Sequence, residues 1–195
     1  MKKLYLFDFD GTITKKDTMF LFLNFVNPSK YRIQFLLHIP LFILLKLGLA
    51  DAEKVKKSFV SSLLKGKSEK KLKASAQQFF DLHHESIMRQ TAVDFIHNID
   101  HELTDSYIVS ASLDIWVQPF ADFYKLTLIS TKAEFVNGYF TGDFSTPNCN
   151  GLEKVNRIKE ELQDKKFDKK IAFGDTEGDR AMLNFADEGH FRFFH

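Results

Sequence analysis

Asp8 and Asp10 flank a single phenylalanine in the run Phe7-Asp-Phe-Asp-Gly-Thr12. Residues two apart on an extended chain point to the same side, so both carboxylates can share one pocket while Phe9 turns into a core. Two bare carboxylates this close repel each other. A divalent cation between them removes the repulsion, and a site built from oxygen donors suits Mg²⁺. Gly11 permits a sharp backbone turn directly after the acids. A solvated acidic turn or a helix cap uses the same residue types, so chemistry here needs partners from elsewhere in the chain.

Three other segments supply them. Gly174-Asp175-Thr-Glu-Gly-Asp179 adds two carboxylates, although Thr176 or Asp179 would also serve as a plain helix cap. Ser110 and Ser112 follow an apolar run and precede an expected helix; a hydroxyl and free amide groups at a helix start attract an anion, and an ordinary serine cap looks the same in sequence. Lys154 stands in the first turn of an expected helix after Cys149-Asn-Gly151. A lysine there opposes the helix dipole, which suits either a negative ligand, a carboxylate partner or simple solvation.

The elements that must position these residues follow from periodicity. Lys3–Phe7 reads as a buried strand ending in the two acids. Residues 18 to about 84 read as helices only, with Phe59, Leu63 and Leu64, then Leu72, Ala76, Phe79 and Phe80 at helical spacing. Gly66 ends one helix and Ser68 caps the next. Strand and helix then alternate. Helices are expected over 91–99, 113–123, 152–162 and 179–185, and strands over 107–109, 126–129, 170–173 and 190–194. Asn137-Gly138 marks a hairpin, and Pro119 is expected to bend or divide its helix. Alternation of this kind predicts an α/β fold with a parallel sheet between helical layers. Ligands in such folds bind beyond the carboxyl ends of the strands, where Asp8, Asp10, Ser110 and Asp175 all lie.

In order and spacing, the four segments resemble the four motifs of the haloacid dehalogenase superfamily. Val109-Ser-Ala-Ser-Leu113 and Asn148-Cys-Asn-Gly-Leu-Glu-Lys154 are similar to the branch that contains phosphoserine phosphatases. The resemblance implies a Rossmann-like three-layer core over 1–16 and 86–195, with an all-helical cap over 17–85. It also implies a phosphatase that uses Mg²⁺. Asp8 would attack phosphorus and form an aspartyl-phosphate, and Asp10 would act as general acid and then base. Asp8, the Asp10 backbone carbonyl and Asp175 would hold the metal. Ser110, Ala111, Ser112 and Lys154 would bind the phosphoryl group, with Asp179 supporting Lys154 or the metal shell. Asp17 lies near where phosphoserine phosphatases place a substrate-binding Glu, and Gly178 stands where they carry Asn. Both departures argue against phosphoserine itself.

Composition narrows the substrate. The net charge of +1 gives no footprint for nucleic acid. Residues 15–85 nevertheless carry thirteen Lys and Arg against six Asp and Glu, so a basic module is joined to an acidic remainder. The most apolar stretch, residues 33–49, is shorter than the roughly 20 residues needed to span a bilayer and is interrupted by His38, Pro40 and Lys46. A core helix and a helix lying on a membrane surface both fit. Its pattern, with Lys30, Tyr31 and Arg32 before it and the Lys-rich segment 54–73 after it, is similar to the caps of relatives that dephosphorylate phosphatidylglycerophosphate. The expected substrate is therefore a small-molecule or lipid phosphomonoester, the latter met at an anionic membrane surface. A soluble small-metabolite phosphatase and a phosphotransferase are the alternatives. The single cysteine forms no internal disulfide, and the first residues do not fit a signal peptide, so a cytoplasmic protein is expected. His97 and His101 have the spacing of a weak zinc pair.

Overall fold

The computed structural model describes residues 2–195. Five strands form one parallel sheet: β1 (Lys3–Phe7), β2 (Thr104–Leu113), β3 (Thr127–Thr131), β6 (Lys169–Gly174) and β7 (Glu188–Phe191), in the order β3-β2-β1-β6-β7. A separate hairpin pairs β4 (Ala133–Val136) with β5 (Tyr139–Phe144). Its turn residues Asn137 and Gly138 both have positive φ, 52° and 77°, as a tight hairpin turn requires.

The sheet is covered on both faces, and β1 shows why. Leu4 and Leu6 point to one side, where Ile158 and Leu162 of α7 (Leu152–Leu162) and Met182 of α8 (Arg180–Phe185) pack. Tyr5 and Phe7 point to the other, against Phe95 of α5 (Gln90–His97) and the tail residue Phe194. A strand buried on both faces reads as an unbroken apolar run, as Leu4–Phe7 does. Further along this second face lies α6 (Asp114–Phe123), which buries Trp116 and Phe120 and continues through Pro119.

Between β1 and α5 the chain makes four helices: α1 (Thr18–Val26), α2 (Pro28–Lys46), α3 (Ala52–Leu64) and α4 (Glu69–Ile87). The outgoing and returning segments are hydrogen-bonded where they cross: Lys15 N donates to the Ile87 carbonyl and Arg89 N to the Ile13 carbonyl. At the far end, the turn at Gly66–Ser68 pairs with the β4–β5 hairpin through Gly66 N to Phe140 O and Glu69 N to Gly138 O, both 2.8 Å. The helices are thereby fixed at two places over the carboxyl edge of the sheet. No helix among the described residues is long and apolar enough to cross a membrane.

Several boundaries differ from the sequence reading. β2 runs on to Leu113 with a register shift after Ser110, so Ser110 and Ser112 belong to an irregular strand end and the helix starts only at Asp114. The last strand is Glu188–Phe191 rather than 190–194. Phe193 and Phe194 instead pack on Phe95 and Phe173, with the Phe194 ring buried and Phe193 still half exposed. α5 ends at His97, so His97 and His101 do not share a helix; the His97 ring lies against Tyr124.

Candidate active site

The register of the sheet brings the acids together. β1 and β6 are adjacent with Phe7 opposite Phe173, and Asp8 N donates to the Phe173 carbonyl at 2.9 Å. Asp8 therefore leaves β1 beside the end of β6, from which Asp175 follows after Gly174. Past Asp8 the chain makes one tight turn, Phe9–Ile13, with Phe9 fully buried against Phe120. Gly11 is required there twice over. Its φ is +83°, and a Cβ at this position would stand 2.6 Å from Asp175 Oδ2.

Lys154 is the hub. It sits in the first turn of α7 with 1% of its surface exposed. Its Nζ reaches Asp8 Oδ1 and Asp179 Oδ1, each at 2.6 Å, and the Val109 carbonyl at 2.9 Å. All three ammonium protons are thus used, which is what a buried lysine needs. Burial alone would pull its pKa down; the two carboxylates outweigh burial and hold it well above the usual lysine value. For Asp8 the balance is the reverse. Burial, to which the charge of Asp179 adds, pushes it up to about 7 against the pull of Lys154.

Asp179 is saturated. Its second oxygen accepts from Asp175 N, Thr176 N and Thr176 Oγ1 at 3.1, 2.9 and 2.8 Å. Burial would raise its pKa, yet Lys154 and the Thr176 donors hold it below the usual carboxylate range. Asp8 and Asp175 are less well served. The Thr12 hydroxyl lies 2.8 Å from Asp8 Oδ2 and 2.9 Å from Asp175 Oδ1, and its one proton cannot serve both. Asp8, Asp175 and Asp179 present oxygens all within 4.8 Å of one another. With Lys154 the only ammonium among three acids, the donor set fits a hard divalent cation held chiefly by Asp8 and Asp175.

Asp10 points elsewhere. Its carboxylate accepts from Thr18 N and Thr18 Oγ1 at 2.6 Å and from Ser112 Oγ at 2.5 Å, so the side chain stands apart from the three-acid cluster. The buried Trp116 donates from Nε1 to Thr18 Oγ1 at 3.2 Å, which aims the threonine proton at Asp10. Ser110 is buried, and its Oγ accepts from Ser112 N at 3.0 Å.

Asp8, Asp10, Asp17, Ser110, Ala111, Ser112, Lys154 and Asp179 all line one cleft of about 340 Å³, and Asp175 forms the cluster behind it. Two larger grooves, including one of about 580 Å³ by Lys3, Asp94 and Thr104, are lined by none of these acids. Asp17 caps α1 by accepting from Met19 N at 2.9 Å. Although its surface is largely open, it opens into the cleft; the surrounding protein and the charge of Asp10 push its pKa up to about 7.

Sequence reasoning missed four contributors. Lys56 on α3 reaches across the cleft, its Nζ donating to the Ala111 carbonyl and, at 3.1 Å, to Asn148 Oδ1. Burial lowers its pKa to about 8, against the opposing pull of Asp10 and Asp17. It was one lysine among many in its segment. Asn150 packs onto Gly178, where a Cβ would collide with Asn150 Oδ1. Thr18 bonds Asp10 and Trp116 bonds Thr18, at distances in sequence that no local pattern reveals.

A family model described as haloacid dehalogenase-like hydrolase matches residues 5–184. The chain is 32% identical over 194 residues to protein CicA of Caulobacter vibrioides, with 98% of this chain and 86% of that one covered. Among solved structures, a protein of unknown function from Bordetella pertussis Tohama I superposes with a TM-score of 0.81 at 19% identity, covering 95% and 87% of the two chains. A phosphoserine phosphatase carrying a phospho-aspartyl intermediate analogue gives 0.67 at 20% identity, covering 95% and 83%.

Proposed function

Because the chain belongs to the haloacid dehalogenase-like hydrolases, we propose that it is a Mg²⁺-dependent phosphatase that hydrolyses a phosphomonoester through an aspartyl-phosphate on Asp8. The observation that carries this reading is the division of the acids. Asp8 is tied to Lys154 beside Asp175, while Asp10 is turned away toward the cleft on hydroxyl and amide donors. In this reading residues 1–16 and 86–195 form the catalytic core and 17–85 the cap.

The steps follow from the side chains. Asp8 keeps one oxygen on Lys154 and attacks phosphorus in line, and the bond to the leaving oxygen breaks. Asp10 gives that oxygen a proton and later takes one from the water that attacks the acyl phosphate, returning Asp8 and releasing phosphate. Lys154 and Ser110 meet the negative charge on the phosphoryl oxygens, the main requirement of phosphoryl transfer. Asp8 and Asp175 would hold Mg²⁺, which when bound neutralises phosphoryl charge and favours the ionised form of Asp8.

The substrate carries an apolar body beside its phosphate. Beyond the acids, the cleft is walled by Met19, Phe20, Phe42, Leu45, Ala52 and Val55, which favours a lipid phosphate such as phosphatidylglycerophosphate over a small polar ester. Phosphate release with Mg²⁺ from a panel of lipid phosphates and soluble phosphomonoesters tests this. Lipid phosphates are expected to give the highest kcat/KM. Preference for phosphoserine or sugar phosphates would restore the small-metabolite reading, and product transfer to added alcohols would restore the phosphotransferase.

A further inference from the structure

We propose that the outward face of α2 is a docking surface for an anionic lipid bilayer, set at the mouth of the catalytic cleft. α2 is apolar on two sides. Tyr31, Phe35, His38 and Phe42 face inward, where the rings meet Phe20 and Phe59 and His38 bonds Ser58. On the opposite side Ile33, Leu36, Leu37, Ile43, Leu44 and Leu47 recur at helical spacing and stand exposed, Leu37 and Leu47 by 65% each, with Leu49 just beyond at 72%. A run of exposed aliphatic residues on one face is more than the scatter normal for a protein surface.

Three features of the chain select a bilayer as the occupant. First, charge: no Asp or Glu occurs from residue 18 to 50, whereas Lys30 and Arg32 begin the helix and Lys46 ends it. An aliphatic face with cations at both ends matches an anionic lipid surface. Second, residue type: protein interfaces favour Tyr, Phe, Trp and Met, but here the aromatic residues face inward and the outer face is Leu and Ile. Third, continuity: Phe42 and Leu45 of the same helix line the catalytic cleft. A helix of 19 residues lying flat on lipid would therefore set the cleft entrance at the headgroup level. The use made of the cleft rests on the phosphatase reading; the docking does not.

The test is co-sedimentation of the full chain with vesicles of phosphatidylglycerol and phosphatidylcholine, or of phosphatidylcholine alone. It uses wild type, Asp8→Asn and Leu37→Glu/Leu47→Glu, with Mg²⁺-dependent hydrolysis of a soluble aryl phosphate as a second readout. Wild type and Asp8→Asn should bind the anionic vesicles equally and lose binding at ~0.5 M NaCl. Leu37→Glu/Leu47→Glu should bind at least about tenfold more weakly while hydrolysing the aryl phosphate at the wild-type rate. No wild-type binding to anionic vesicles, or equal binding by the double variant, overturns the proposal. So does a dimer in solution that the same double variant dissociates, since a second copy would then cover the face. Loss of docking with aryl phosphatase intact sinks only this inference; absence of Mg²⁺-dependent hydrolysis with docking intact sinks only the phosphatase.

Discussion

Lys154 Nζ lies 2.6 Å from Asp8 Oδ1 with both side chains buried. An ammonium in this position does more than balance charge: it ties α7 to the end of β1, so the residue proposed as nucleophile is held by an element 146 residues away. Replacing Lys154 with Met removes the cation and leaves the buried carboxylates of Asp8 and Asp179 without it. Breaking a buried pair from one side costs about 3–5 kcal/mol. Lys154→Met should therefore lose that much stability in denaturant melts and essentially all Mg²⁺-dependent aryl phosphatase activity. Arginine should not rescue it, because its planar fork cannot reproduce three convergent contacts. A stable, active Lys154→Met variant would contradict the site as described.

Asp8→Asn separates chemistry from folding. The amide keeps an oxygen for Lys154 but cannot attack phosphorus, and activity should fall by at least about 1,000-fold. The folded-state pKa of Asp8, about 7, lies above the ordinary 3.8. Folded protein thus binds a proton that the unfolded chain releases, and stability contributed by this group is lost as pH rises from about 4 through about 7. At pH 8 without Mg²⁺, Asp8→Asn should melt at the wild-type temperature or above it. Added Mg²⁺ should raise the melting temperature of wild type much more than that of Asp8→Asn. Equal Mg²⁺ shifts in both proteins would remove Asp8 from the metal site.

How much of this was legible in the sequence depended on where each determinant lies. β1, the helical character of 18–84, the Asn137-Gly138 hairpin and the cluster of Asp8, Asp175, Asp179 and Lys154 were readable because each is set by a local pattern or by a strand end. The parallel sheet then does the converging. The Ser110–Leu113 stretch misled because a register shift lets the strand continue where serines suggest a cap. Phe193 and Phe194 misled because alternation cannot tell an edge strand from a tail folded onto Phe173. Lys56, Thr18 and Trp116 were illegible: they meet at the site from α3, α1 and α6, far apart in sequence, and nothing in a run of lysines marks the one that turns inward.

Lys56 gives the site a pH limb. Its ammonium projects from α3 into the cleft near Asp10 and Asp17, and burial lowers its pKa to about 8 from 10.5. Below pH 8 the charge is present to attract a phosphate dianion; above it the charge is lost. KM should accordingly rise between pH ~8 and ~9 in wild type. In Lys56→Met it should already be raised by roughly tenfold at pH 7, the worth of a charge-assisted hydrogen bond, and stay flat across that range. The variant should also be slightly more stable than wild type at pH 7, since the folded state no longer holds a cation that burial disfavours. A wild-type KM that is constant from pH 7 to 9.5 would rule out contact between Lys56 and substrate.

The Asn150–Gly178 contact predicts non-additivity. Gly178 does not have positive φ, so its backbone accepts alanine, and the obstacle is purely the Asn150 amide 2.2 Å from the new Cβ. Gly178→Ala should therefore destabilise by about 1–3 kcal/mol through overpacking. It should do so by much less in an Asn150→Ala background, where the amide is gone. A double-mutant cycle in urea should return a favourable coupling of about 1 kcal/mol or more between two residues 28 apart in sequence. Additive effects would mean that Asn150 swings away freely, and that the amide beside Gly178 is not a fixed part of the cleft wall.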